Sequence, residues 1–283
     1  MKKIITKTFG LRDDEIFISF LMLLYIFIII TVLLIVKPTV NALFVSELGA
    51  RSLPFGYLMV AGVAVLTSYF YNKAIKQFSL VKVTVVSLII FSLAFVILSG
   101  ILRFSLISNW ILYFYYVFIS LFAVVATSQF WLFANMVFNA REAKRNFGFI
   151  GAGAIAGGIF GGYLTSIISP NLGNEFAILL AALLLLFCIP LLKRVYVLRI
   201  RYLNIFKRKQ IIAKQESLEH SSLKIITNSK HLTYIALITG VSVIVAKLVD
   251  FQFSDFASNA IPDSNDLAAF FGFWFSTFNL VAL

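Results

Sequence analysis

Charge is scarce in this chain. Only 13% of its 283 residues are charged while 61% are hydrophobic, too little polar surface to clothe an ordinary water-soluble domain. Acids are scarcer than bases, with twelve Asp and Glu against twenty-four Lys and Arg. There is one cysteine, Cys188, inside an apolar run, which excludes a disulfide framework and reads as an inert buried thiol. The two histidines, His220 and His231, stand alone. No metal-ligand spacing, no Ser-His-Asp set and no carboxylate pair in a polar segment is present. No catalytic residue, metal or cofactor is therefore expected. A phosphate loop is missing too, since no Gly-Lys-Ser/Thr follows the glycines.

What is present is apolar length. Mean hydropathy is +0.97. Crossing a hydrocarbon core of ~30 Å takes ~20 residues. Runs of that kind lie at about 16–44, 54–72, 80–101, 108–138, 147–168, 174–193 and 231–258, and an eighth begins near Leu267. The N-terminus, with Lys2, Lys3, Lys7 and Arg12, resembles a signal peptide at first. The run after it is too long for one and lacks a small-residue cleavage site, so it reads as an uncleaved first span. The chain stops at Leu283 within an apolar run, and about four further spans are expected to follow.

The net charge of +12 is distributed in a way that points to a membrane rather than to nucleic acid. The N-terminus carries four Lys or Arg, the loop after span 2 carries Lys73, Lys76 and Lys82, the loop after span 4 carries Arg141, Lys144 and Arg145, and residues 193–230 carry ten. Alternate loops carry only Arg51 and Arg103. By the positive-inside rule the N-terminus is cytoplasmic. Residues 199–209 interleave bases with Tyr202, Ile205 and Phe206, which suits either a helix on anionic lipid or a solvated linker.

Six spans, a basic linker and then further spans is the plan of the major facilitators, built from two six-helix halves. The expected fold is an all-α polytopic membrane protein of that kind. Residues 1–195 are expected to form the N-terminal half, 196–230 the linker and 231–283 the start of the second half. A weak internal repeat agrees. Span 1 has Lys37 and then Pro54-Phe55-Gly56-Tyr57, while span 7 has Lys247, then Pro262 and Phe271-Gly272-Phe273.

The densest local signal is residues 129–163, where a short basic turn at 141–145 separates two apolar arms. The segment Gly151-Ala152-Gly153-Ala154-Ile155-Ala156 fits a dinucleotide fingerprint by letter, but no strand precedes it and the next acid is Glu175. The better reading is helix packing. Gly153, Gly157 and Gly161 form one small-residue ladder, and Ala154, Gly158 and Gly162 form another.

Ionisable groups inside spans are costly, by ~2.5–3.5 kcal/mol on insertion scales, and each is a functional candidate. Lys37 follows Glu15 by 22 residues, or ~33 Å of helix, which fits either an anion pathway or snorkelling to the far interface. Pro38 beside it should release a backbone carbonyl. Lys247 and Asp250, three apart, can pair on one helix face as a substrate cluster, a gate or a structural ion pair. The candidate substrate residues are Lys37, Asn41, Gln129, Lys247 and Asp250. Arg141, Glu142, Lys144 and Arg145 are candidates for an inner gate, or are positive-inside anchors. Asn135 is placed to cap or brace the hairpin.

Three segments carry a family resemblance. Phe130-Trp131-x-Phe133-Ala134-Asn135, then Glu142-Ala143-Lys144-Arg145 and a Gly-rich helix, resembles the ATP:ADP antiporters of obligate intracellular bacteria and plastids. Lys37, with Gly49-Ala50-Arg51-Ser52-Leu53-Pro54-Phe55, is similar to that family's first helix and turn, and Tyr234 to Asp250 is similar to its seventh. The resemblance implies a twelve-helix carrier exchanging nucleotides across a bacterial inner membrane, with Lys37 on the substrate phosphates. The Arg-Asp that usually precedes this lysine is absent, span 4 holds no acid between Tyr113 and Phe138, and Asn72-Lys73-Ala74-Ile75-Lys76 lacks the facilitator loop's glycine and acid. These departures leave open another organic anion, a proton-coupled facilitator working through Asp250, and a non-transporting anchor or sensor. Expected partners are the lipid bilayer and an anionic small molecule, with ATP or ADP the candidates, and no nucleic acid.

Overall fold

The computed structural model describes residues 15–200 and 229–281. Lys2, Lys3, Lys7, Arg12, most of the basic linker and His220 lie outside the described residues. Eight long helices follow one another: α1 Ile16–Leu48, α2 Leu53–Gln77, α3 Leu80–Arg103, α4 Asn109–Val137, α5 Ala140–Leu172, α6 Asn174–Val195, α7 Lys230–Ala260 and α8 Ser264–Val281. The first seven are each long and apolar enough to cross a membrane. Helix is what such sequences must form in lipid, because every backbone N–H and C=O then finds its partner within the segment. The chain is an all-α polytopic membrane protein.

α1 lies at the centre, touching α4, α5, α6 and α8 along its length. It ends at Gly49, whose φ of 76° is a left-handed conformation that only glycine adopts without strain, and whose N–H bonds the Val45 carbonyl. The chain then passes through the short 3₁₀ turn Ala50–Ser52 into α2, with Pro54 in its first turn. Pro38 does not end α1. It cannot donate to the carbonyl of Leu34, and the Thr165 hydroxyl of α5 lies 3.2 Å from that oxygen and 2.9 Å from the Gly161 carbonyl of its own helix, one proton shared between the two.

The two glycine ladders face different helices. A Cβ at Gly153 would meet the carbonyl of Leu23 at 2.9 Å, one at Gly157 would strike the Phe27 carbonyl, and one at Gly161 would meet Thr31 Cα at 2.9 Å. Thus α5 lies with its backbone on positions 23, 27 and 31 of α1, a ladder of the same spacing. Gly158 meets Asn279 and Gly162 meets Ser276 and the Gly272 carbonyl, so the second ladder seats α8. Direct contact exposes carbonyls to polar side chains: Thr31 donates to the Gly157 carbonyl at 3.2 Å and Ser276 to the Ile159 carbonyl at 2.8 Å.

The basic turn at 141–145 proves to be helix. The connection between α4 and α5 is only Phe138-Asn139, and α5 begins seven residues before the expected position 147. The cause is a capping box. Asn139 Oδ1 accepts the Glu142 N–H at 3.0 Å, and Glu142 Oε2 accepts the Asn139 N–H at 3.0 Å. Asn135, the expected cap, bonds instead to the Trp131 carbonyl of its own helix. Replacing Asn139 by alanine is expected to destabilise the protein by ~1 kcal/mol, read as a lower melting temperature of the purified protein, with Asn135→Ala causing a smaller loss.

Ion pairs brace both ends. Glu15, 4% exposed, receives Arg145 at 2.6 Å and Asn146 Nδ2 at 3.3 Å, tying the start of α1 to α5. Glu142 pairs with Arg199, just past α6. At the opposite end Arg103 pairs with Glu175 at 3.5 Å, and the Asn174 N–H donates to Asn265 at 3.0 Å. α7 is different. Within it only Ser254 and Ala257 are buried, and Ile235, Ile238, Val241, Ile244 and Leu248 are all exposed.

Candidate functional site

Lys37 and Asn41, one helical turn apart, point the same way from the second half of α1. On α7, Lys247, Asp250, Ser254 and Ala257 recur at three and four residues and share a face. The two faces meet. Asn41 Nδ2 lies 3.4 Å from Ser254 Oγ, 213 residues away in sequence, and Ala42 packs in one cluster with Ala257. Small side chains at Ala42 and Ala257 permit that approach.

The meeting of α1 and α7 leaves a cavity of about 40 Å³. Lys37, Asn41, Ser120, Tyr116, Lys247 and Asp250 supply its polar lining, and Val40 and Ile119 its apolar walls. About 10–15 Å³ of such space holds one water, so the cavity takes a few waters or a small group such as a phosphoryl, and not a whole nucleotide.

Two ammonium groups face one carboxylate here. Lys247 Nζ lies 3.1 Å from Asp250 Oδ2, and Tyr57 Oη donates to the same oxygen at 3.2 Å. Lys247 also sits 4.7 Å above the Tyr57 ring, and Lys37 sits 5.6 Å from the centre of the Phe275 ring. Aromatic faces stabilise a cation without neutralising it. With both lysines protonated the cluster would set two cations against one carboxylate, a setting that attracts an anion. A second, larger cavity of about 380 Å³ opens towards the Gly49 turn, lined by Ser46, Arg51, Asp255, Asn259 and Pro262 among others.

Of the five expected substrate residues, four come together: Lys37, Asn41, Lys247 and Asp250. Gln129 does not line this cavity. It is 1% exposed and donates to Ser87 at 3.0 Å, cross-linking α4 to α3. The four hairpin residues lie at the far, basic end. Glu142 and Arg145 are engaged with Arg199 and Glu15, while Arg141 and Lys144 are exposed and make no ion pair among the described residues.

Besides the serines Ser120 and Ser254, three contributors do not stand out in the sequence: Tyr57, Tyr116 and Phe275. All are aromatics in a chain that has 31 Phe and 11 Tyr, so composition does not single them out. One signal was available. Gly56, next to Tyr57, admits Tyr116, whose ring carbon would lie 2.9 Å from a Cβ at that position. The Pro54-Phe55-Gly56-Tyr57 turn was thus informative about the site and not only about the repeat.

Eight long helices among the described residues, with charged side chains gathered midway along two of them, define a polytopic membrane protein. The sequence model of one family, described as TLC ATP/ADP transporter, matches residues 97–283, and the chain belongs to that family. The matched region contains the glycine ladders, Lys247 and Asp250, whereas Lys37, Asn41 and Tyr57 precede it. Searches of curated proteins and of solved structures found no match.

Proposed function

We propose that the protein carries nucleotides of the ATP and ADP type across the inner membrane of a bacterium, by exchange and alternating access. The basic end would face the cytoplasm. Residues 1–195 would form one half of the carrier and residues 231–283 would begin the other, joined by the basic linker 196–230. The observation that carries this reading is the convergence of Lys37 of α1 and Lys247 of α7 on one cavity; these would be equivalent helices of the two halves. Each would take phosphoryl oxygens in turn, Lys247 by giving up Asp250. Family membership supports a nucleotide as the anion.

The chemistry required is electrostatic and positional, with no covalent step and no cofactor. A phosphate group stripped of water needs cations already in place, and a lysine ammonium supplies a compact point charge. The glycine ladders would let α1 and α8 shift against α5 without a side-chain barrier. Arg141, Glu142, Lys144 and Arg145 would form the inner gate, the Glu142–Arg199 and Glu15–Arg145 pairs holding its frame.

The test is uptake of labelled ATP by proteoliposomes containing the full-length protein. Liposomes preloaded with unlabelled ATP or ADP are expected to accumulate label several-fold faster than empty ones. Equal accumulation with and without internal nucleotide would rule out exchange, and no accumulation under either condition would rule out the nucleotide.

A further inference from the structure

We propose that Tyr57 sets how readily an anion displaces Asp250 from Lys247. This rests on the carrier reading above and names the residue that tunes it. The geometry is specific. One carboxylate oxygen, Asp250 Oδ2, accepts both from Lys247 at 3.1 Å and from Tyr57 at 3.2 Å. An oxygen shared between two donors binds each less tightly than one held alone. The Tyr57 hydroxyl thus weakens the Lys247–Asp250 pair while its ring, 4.7 Å from Lys247 Nζ, keeps the ammonium in position. Lys247 is therefore held by a weakened counter-ion and an uncharged face.

An arriving phosphate must compete with Asp250 for Lys247, because two anions at one ammonium repel each other. When the carboxylate leaves, it still has the Tyr57 hydroxyl to bond, so it is not stranded without a partner in a low-dielectric site. Tyr57 comes from α2 and Asp250 from α7, 193 residues apart. The exchange of Asp250 for substrate therefore also alters a contact between helices otherwise barely joined. Tyr57 is itself fixed: its ring centre lies 6.4 Å from that of Tyr116, which packs at a tilt with its centre 4.6 Å from that of Phe44 and rests on Gly56. It acts as a positioning residue, through Asp250 and Lys247.

The experiment compares the unaltered full-length protein with Tyr57→Phe, Asp250→Asn and the double variant, in proteoliposomes with labelled ATP. Tyr57→Phe keeps the ring and removes the hydroxyl. It is expected to raise the KM for ATP by about five- to tenfold with the maximal rate within about twofold, as loss of one hydrogen bond to a charged group predicts. Asp250→Asn is expected to lower KM, and adding Tyr57→Phe to it is expected to change KM no further. An unchanged KM in Tyr57→Phe, or an equal rise in the Asp250→Asn background, would overturn the proposal. Melting temperatures of the same four proteins without nucleotide give a second arm. Non-additive losses support the contact, and additive losses overturn it whether or not the protein carries nucleotide. Non-additive losses with no ATP uptake by the unaltered protein would overturn the carrier reading, and displacement by nucleotide with it.

Discussion

Lys37→Ala in the full-length protein is expected to cut ATP uptake, as kcat/KM, by roughly tenfold to hundredfold. A hydrogen bond to a charged partner is worth ~1.5–3 kcal/mol, and each 1.4 kcal/mol is a factor of ten. Lys37 lines the cavity beside Lys247, and no carboxylate among the described residues is paired with it. Its charge is thus available to a ligand. Lys37→Arg should retain part of the activity, because the charge survives while the fork geometry differs. Lys193→Ala, which removes an exposed cation at the end of α6, should leave uptake unchanged. Lys247→Ala should be more damaging than Lys37→Ala, since it also takes away the counter-ion of Asp250 and leaves that carboxylate the Tyr57 hydroxyl. Adding Asp250→Ala to it should restore part of the lost stability, though not uptake. Uptake unaffected by Lys37→Ala would remove that residue from the pathway.

The largest structural effect is expected at Gly157. A Cβ there would strike the Phe27 carbonyl, and backbone cannot rotate away as a flexible side chain can. Gly157→Ala is expected to destabilise the protein by ~3 kcal/mol, the upper part of the range for overpacking, and to weaken the Thr31 bond to the same residue's carbonyl. Gly158→Ala meets only the side chain of Asn279 and should have a smaller effect. Gly151→Ala, with nothing within 4 Å, should stabilise α5 by up to ~1 kcal/mol through helix propensity alone. Denaturation in detergent of the three variants side by side checks the order. Equal effects at Gly151 and Gly157 would mean that the helices do not touch along the ladder.

Most of the helical plan could be read from the chain. Span positions follow from hydropathy, because lipid demands about twenty apolar residues and satisfied backbone bonds. The boundary that departs furthest is the start of α5, where polarity by itself suggests a turn; the ends of α1, α2 and α5 run four or five residues past the apolar runs. Asn139 and Glu142 form an N-terminal capping box whatever the solvent, and that motif overrides the loss of apolar character at Arg141, Lys144 and Arg145. The released carbonyl at Leu34 was anticipated from Pro38, but its partner Thr165 was not, since it lies on another helix.

The site divides in the same way. Lys37, Asn41, Lys247 and Asp250 could be named because charge and amide inside an apolar span are costly and therefore conspicuous. Gln129 is conspicuous for the same reason and lies away from this cavity, bonded to Ser87. Tyr57, Tyr116 and Phe275 carry no such cost and were invisible among other aromatics.

By itself, then, the sequence determined the number and order of the helices among the described residues, the concentration of positive charge around alternate helix connections, and the small-residue face of α5. These are local or additive properties: hydropathy sums over a window, and periodicity of 3.6 decides which residues share a face. Only the tertiary structure decided what each face meets. It set one glycine ladder on α1 and the other on α8, brought Lys247 to Lys37, and gave Asp250 a second donor in Tyr57. The reason is that a helix face carries no address. Which neighbour it packs against depends on the fit of whole helices, and the contacts that settle this join residues as far apart as Asn41 and Ser254.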